Sequence, residues 1–133
     1  ELDTHQTDSR AFEGFTIKSM PVAHRPESIA YRIVDADGKT VVYSGDTDVC
    51  DALTAIAADA DLMICESALP DGQKVDGHLT PSLAGKIAQK ARVKQLILTH
   101  FYPACESFDV EKQCRSTYNG KILAAHDLMT VTL

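Results

Sequence analysis

Four polar residues stand where apolar runs end, and each is of a type that can ligate a cation or move a proton. Asp46 follows "VVYSG" (Val41–Gly45), Glu66 follows "LMIC" (Leu62–Cys65), His78 sits in "DGHLTP" (Asp76–Pro81), and His100 follows "LILT" (Leu96–Thr99). An aspartate and a histidine on neighbouring strand ends are oxygen and nitrogen ligands suited to zinc or manganese, and one carboxylate can bridge two such ions. A histidine and a glutamate beside them, not needed as ligands, form a pair in which the carboxylate orients the imidazole for proton transfer. This is the chemistry of metal-assisted hydrolysis. Taken one at a time, each residue also has a plainer reading. Asp46 could cap a helix or hold a turn behind Gly45, and His100 could be a hydrogen-bonded histidine at a strand end. His78 could be a loop residue near Thr80, and Glu66 a surface acid or the start of a helix.

Such residues need strands to aim them. Residues Phe15–Ala23 ("FTIKSMPVA") and Ile29–Val34 ("IAYRIV") read as strands, and "DADGKT" supplies an Asp-Gly turn before "VVYS", so the first third is expected to be a β-meander. "VCDALTAIAADA" places Val49, Leu53, Ile56 and Ala57 at helical spacing, and "DLMICES" is a short buried strand ending on Glu66. "TPSLAGKIAQKARV" predicts a helix with Thr80 as N-cap and Pro81 at its first position, burying Leu83, Ala84, Ile87 and Ala91 ahead of the strand "KQLILTH". "FDVEKQCRSTY" predicts a further helix stopped by Asn119-Gly120, with "KILAAH" and "MTVTL" as two closing strands. Hairpin strands followed by alternating strands and helices argue a mixed sheet with helices on one face, in the α/β or α+β class.

The totals narrow the function. A chain of 133 residues fits one domain with one core. A formal charge of −6 with acids spread along the chain offers no basic stripe for nucleic acid and no polybasic run for a membrane surface. No apolar run approaches the ~20 residues that span a bilayer, and no signal-peptide layout opens the sequence, so a cytoplasmic protein is expected. The four cysteines, Cys50, Cys65, Cys105 and Cys114, match no paired CxxC zinc spacing and are expected to be reduced thiols. The chain opens "ELDTHQTD" without an initiator Met, so it is expected to be part of something longer.

The order of motifs carries a resemblance. "H-x-x-x-S" (His24–Ser28), "YSGDT" (Tyr43–Thr47), "CES" (Cys65–Ser67), "GHLT" (Gly77–Thr80), a helix and then "LILTHF" (Leu96–Phe101) resemble the C-terminal half of a metallo-β-lactamase-fold hydrolase. Within that superfamily they are most similar to the ribonuclease Z-like subgroup, over Phe15 to Pro103. The resemblance implies that residues 1–133 form half of an αββα sandwich, its N-terminal half removed, unresolved or on another chain. It implies two divalent metal ions in the complete protein, zinc first and manganese second. Asp46 would bridge them, His100 would ligate the second, His78 would be the general acid on the leaving oxygen, and Glu66 would orient His78. His24, Ser44, Thr47 and Tyr102 would bind substrate or support the site. The implied reaction is two-metal hydrolysis of a phosphodiester.

Two departures bear on this. The family's H-x-H-x-D-H motif and the next histidine ligand are absent, and the only histidine upstream of His24 is His5, so this chain alone is expected to hold an incomplete site and to be inactive. At the end, "AAHDLMTVTL" puts Leu128 where the family tends to keep a glycine after aspartate, and His126 reads as a loop residue rather than a ligand. No long Gly- and Pro-rich arm precedes "YSGDT", which lowers transfer RNA as a substrate. The alternatives are a hydrolase of a lactone, thioester or cyclic phosphodiester on the same scaffold, and a non-catalytic half-domain. A sheet with helices on one face leaves apolar surface in water, so association through that face, as a homodimer, is expected.

Overall fold

Alternation of apolar and polar residues builds the first half of the sheet as hairpins. In the computed structural model, which describes residues 3–133, β1 (Asp8–Phe12), β2 (Phe15–Pro21), β3 (Ile29–Asp35) and β4 (Thr40–Tyr43) pair antiparallel in sequence order. The Asp-Gly turn closes β3 onto β4. The Asp35 carboxylate accepts from the Asp37 and Lys39 amides, and Gly38 turns at φ +80°.

From β4 onward the pairing becomes parallel. Strands β5 (Leu62–Glu66), β6 (Gln95–Thr99) and β7 (Lys121–Ala124) follow α1 (Asp51–Ile56), α2 (Pro81–Lys90) and α3 (Val110–Arg115), completing a seven-stranded sheet in the order β1 to β7. Three successive crossovers advance one way across the sheet, and their right-handedness places all three helices on one face. Arg32, on that face of β3, donates to the Ile56 and Ala58 carbonyls at the end of α1, at 2.9 and 2.8 Å. Val42, Met63, Leu96 and Leu98 are sealed beneath Leu53, Ala84, Ile87 and Ala88. Burying each larger side chain contributes about 1.5–3 kcal/mol, enough for helices of six to ten residues to hold without strong intrinsic stability.

Several boundaries differ from expectation. β1 went unrecognised because "DSRAF" has no alternating face; it is held by its backbone ladder to β2 while its side chains stay mostly exposed. α1 starts at Asp51, and Val49, expected on the buried face, is 51% exposed because the Asp48 carboxylate holds the Val49 amide in a turn. Thr80 occupies the N-cap of α2 with extended backbone, but its hydroxyl makes no capping bond. Residues Pro103–Ser107 form an unforeseen 3-10 helix, and α3 is capped by Asp109, whose carboxylate accepts from the Lys112 amide at 2.9 Å. Of the two closing strands expected, only β7 forms. Beyond it Leu128 adopts φ +62° and the Met129 amide turns back onto the His126 carbonyl, so 129–133 leaves the sheet. That left-handed backbone falls where the resembled family keeps a glycine.

Candidate active site

Parallel strands carry their C-terminal ends to one edge of a sheet, which is where loops can present side chains to a ligand. Here β4 delivers Asp46, β5 ends on Glu66 and β6 delivers His100. β2 runs in the same direction as β4, two antiparallel steps away, so the loop that follows it brings His24 to the same edge. His78 arrives from the loop before α2. The structure brings Asp46, Glu66, His78 and His100 together at this edge, with His24, Ser44, Thr47 and Tyr102 around them.

Asp46, His78 and His100 each offer one ligand atom, and these atoms lie within 4.8 Å of one another. His100 Nε2 stands 3.5 Å from Asp46 Oδ1, with both side chains partly open to solvent. Two backbone features aim this pair. His100 sits at φ +63°, a left-handed conformation that a non-glycine residue holds only where its surroundings impose it. Gly45 turns at φ +60°, and a Cβ there would stand 2.8 Å from the Ile29 carbonyl oxygen, so no other residue could redirect the chain into Asp46. An imidazole and a carboxylate this close, on hard-to-deform backbone, suit a divalent ion such as zinc or manganese.

His78 is held from behind. Its Nδ1 lies 2.9 Å from Glu66 Oε1; Glu66 is 1% exposed and His78 9%. With Nδ1 committed to the carboxylate, Nε2 is the nitrogen left for Asp46 and His100. Burying a carboxylate is costly unless its oxygens are satisfied. Glu66 accepts from the Thr47 amide (3.0 Å) and His78 on one oxygen, and from the Ala68 and Leu79 amides (3.2 and 3.0 Å) on the other. Hydrogen bonds to a charged group contribute about 1.5–3 kcal/mol each, so four of them confine Glu66 to one position. Ser44 and Thr47 belong to this cradle: Ser44 Oγ accepts from the Glu66 amide at 2.9 Å, and the Thr47 amide is one of the four donors.

His24 and Tyr102 close the site from the sides. The His24 ring centroid lies 4.9 Å from that of His78, while the Tyr102 ring lies 5.7 Å from His78 and 5.5 Å from His100. His24 Nδ1 is 2.9 Å from the Gly77 carbonyl oxygen and donates to it. Gly77 turns at φ +86°, and a Cβ on it would meet His24 Nδ1 at 2.9 Å. Beside His24 and Asp46 a cleft of about 460 Å³ opens, with Arg25 and Glu27 on its wall. His126 is exposed, with Nδ1 3.0 Å from the Asp127 carbonyl oxygen.

Asp48 and Lys74 escaped the sequence reading, and Gly77 entered it only as the first residue of "GHLT". Asp48 Oδ2 accepts from Lys74 Nζ at 2.7 Å and from the Gly77 amide at 2.9 Å. Burial works to raise the Asp48 carboxyl, but the Lys74 ammonium and the Gly77 and Val49 amides outweigh it and hold it below its ordinary value. Gly77, the residue before His78, is thus pinned at its N–H by Asp48 and at its carbonyl by His24. The repeated acid in "GDTD" was the available signal.

All four cysteines are free thiols. Burial pushes Cys114 up to about 12, and burial with the nearby Glu66 charge raises Cys65 further, so both are inert packing groups. Among the described residues no helix is long and apolar enough to cross a membrane.

Comparison with known proteins agrees with this geometry. A family model described as a beta-lactamase superfamily domain matches residues 1–101. An uncharacterized protein of Mycobacterium tuberculosis is 36% identical over 124 residues, covering 90% of this chain and 45% of that protein. A ribonuclease Z of Streptomyces avermitilis is 34% identical over 101 residues, covering 71% of this chain and 33% of the enzyme. The metallo-β-lactamase fold protein YhfI of Bacillus subtilis superposes with a TM-score of 0.80 at 27% identity, over 93% of this chain and 51% of its own. The chain therefore spans about half or less of the length of each of these relatives.

Proposed function

The chain belongs to the beta-lactamase superfamily, with a ribonuclease Z-like metallo-β-lactamase fold, and on that premise we propose that the protein containing it is a metal-dependent phosphodiester hydrolase. The observation that carries the proposal is the buried Glu66–His78 pair facing Asp46 and His100. In this reading residues 1–133 are the C-terminal half of the domain and supply part of a dinuclear site. Asp46 and His100 would be the metal-holding residues that this chain contributes. When bound, zinc or manganese ions supply Lewis-acid activation of water and stabilise charge developing on the phosphoryl oxygens.

The protein's own residues do the rest. Glu66, immobilised by three backbone amides, holds the His78 ring by Nδ1 and fixes its orientation. His78 delivers the proton from Nε2 to the departing alkoxide or aryloxide oxygen. A general acid at this point accelerates by roughly 10²–10⁴-fold, and phosphodiesters with poor leaving groups need that most. Arg25 and His24, beside Asp46, position the phosphate oxygens. A hydrolase of lactones, thioesters or cyclic phosphodiesters on the same scaffold is the second reading; the dyad favours a substrate whose leaving oxygen must be protonated. The absence of a basic stripe in a chain of charge −6 weighs against transfer RNA. A cytoplasmic location belongs to the same proposal and is supported by the free thiols.

The test is elemental analysis of the complete gene product together with turnover of bis(p-nitrophenyl) phosphate. About two zinc or manganese ions per chain are expected. Asp46→Ala should lose metal and turnover together. His78→Ala should keep its metal while kcat falls about 10²–10⁴-fold on a diester with an alkoxide leaving group and much less on the p-nitrophenyl diester, whose leaving group needs no proton. Loss of metal from His78→Ala would make His78 a ligand instead of the acid, and a complete protein without metal or turnover would overturn the hydrolase reading.

A further inference from the structure

Next to the candidate site lies a second concavity that the hydrolytic machinery leaves unused. It measures about 390 Å³ and runs along the far side of Tyr102, between the 3-10 helix, the start of α3 and the end of β7. Its walls include Phe101, Tyr102, Phe108, Val110 and Ala124, and the one charged side chain lining it is Glu106. Tyr102 and Phe108 flank the 3-10 helix and are each 42% exposed, although residues of this kind normally bury. The helix fixes their separation. The Cys105 amide bonds the Tyr102 carbonyl at 2.8 Å, the Phe108 amide bonds the Cys105 carbonyl at 3.0 Å, and the Tyr102 amide is anchored to the Ala68 carbonyl at 2.9 Å. Both rings are therefore presented before any ligand arrives.

Tyr102 belongs to both places. One side of its ring neighbours His78 and His100 at 5.7 and 5.5 Å, and the residue also lines the groove. For a phosphodiester whose phosphorus sits at Asp46, His78 and His100, the Tyr102 ring lies within reach of one of its two substituents. We infer that the groove is the subsite for that substituent and that it takes a planar, uncharged aromatic ring, an aryl group or a nucleobase, held against Tyr102 and Phe108. This rests on the phosphodiesterase reading above and specifies its substrate. Aromatic walls select a flat π-face. No Lys or Arg lines the groove, and Glu106 repels anions, so a further phosphate of a polynucleotide finds no counter-charge there.

The test uses the complete protein and three p-nitrophenyl phosphodiesters with the same leaving group, whose second substituent is methyl, phenyl or thymidine. Phe108→Ala, remote from the proton-transfer dyad, should lower kcat/KM for the phenyl and thymidine esters about tenfold and leave the methyl ester unchanged. Phe108→Tyr should restore it. A loss on both aromatic esters supports a nucleobase as the natural occupant, and a loss on the phenyl ester alone supports an aryl group. No effect of Phe108→Ala on any of the esters would overturn the subsite, whereas an equal loss on all three would put the shared p-nitrophenyl ring in the groove. A second readout needs no metal. In saturation-transfer NMR on the metal-stripped protein, diphenyl phosphate should bind, dimethyl phosphate should not, and Phe108→Ala should abolish the difference. If none of the esters is turned over while diphenyl phosphate still binds through Phe108, the catalytic reading fails and the subsite stands.

Discussion

At the scale of single residues, Asp48 and Asp46 divide two tasks between two carboxylates only two positions apart. Asp46 points outward beside His100, whereas Asp48 turns inward and holds the Gly77 amide and the Lys74 ammonium. Glu66 fixes the His78 ring, but the backbone that carries His78 is fixed by Asp48 and His24 through Gly77. Removing one of these restraints lets the imidazole drift, and a displacement of about 1 Å can cost up to ~10²-fold in rate. In the complete protein Asp48→Ala should therefore lower kcat by about tenfold or more with KM and metal content little changed. Asp48→Asn, which keeps an acceptor for the Gly77 amide, should recover most of the loss. Steady-state kinetics with elemental analysis checks this, and a fall in metal content equal to the fall in kcat would place Asp48 in ligand support instead.

At the scale of elements, the parallel half of the sheet is tied together at the end opposite the site. Asp61, just before β5, accepts from the Thr40 amide at the start of β4 and from Lys94 Nζ ahead of β6, at 2.9 and 2.7 Å, while its carbonyl accepts from the Gln95 amide at 3.1 Å. One residue thus sets the register of three strands, and their other ends position Asp46, Glu66 and His100. The Lys94 ammonium, then the Thr40 amide, hold the Asp61 carboxyl below its ordinary value. A carboxyl depressed in the folded state stabilises above the unfolded pKa and loses that contribution as pH falls through the folded value. Denaturation of wild type and Asp61→Asn should therefore differ most at neutral pH and converge as the pH drops below about 4. A difference that stays constant with pH would show that Asp61 acts through shape alone.

At the scale of the whole molecule, the sheet is covered on one face only. The other face carries Ile17, Ile33, Val41, Ile64 and Leu123, each partly exposed, with Tyr43 at 44% exposure. An apolar stripe of this extent rarely stays in water. The isolated 133-residue chain should therefore self-associate through this face, as a dimer or larger species whose mass by light scattering rises with concentration. Replacing Ile33 and Val41 by lysine should disperse it. A clean monomer at high concentration would remove the case for this surface as an interface.

Much of the site was legible because strand ends and motif order are local properties. "VVYSGD", "LMICE" and "LILTH" each join a buried strand to a polar residue at its tip, and the Asp-Gly turn and the Pro81 helix start announce the connections between them. What the sequence could not decide were the features set by backbone and by distance. β1 is held by ladder hydrogen bonds with no buried face to betray it, and "MTVTL" alternates like a strand yet leaves the sheet after the turn at Leu128. Asp48 and Lys74 stand 26 residues apart and meet only after the loop folds back. The chain by itself determined which residues have the chemistry. Only the tertiary structure decided that parallel pairing gathers Asp46, Glu66 and His100 at one edge, and that an amide cradle and a pinned glycine turn His78 toward them.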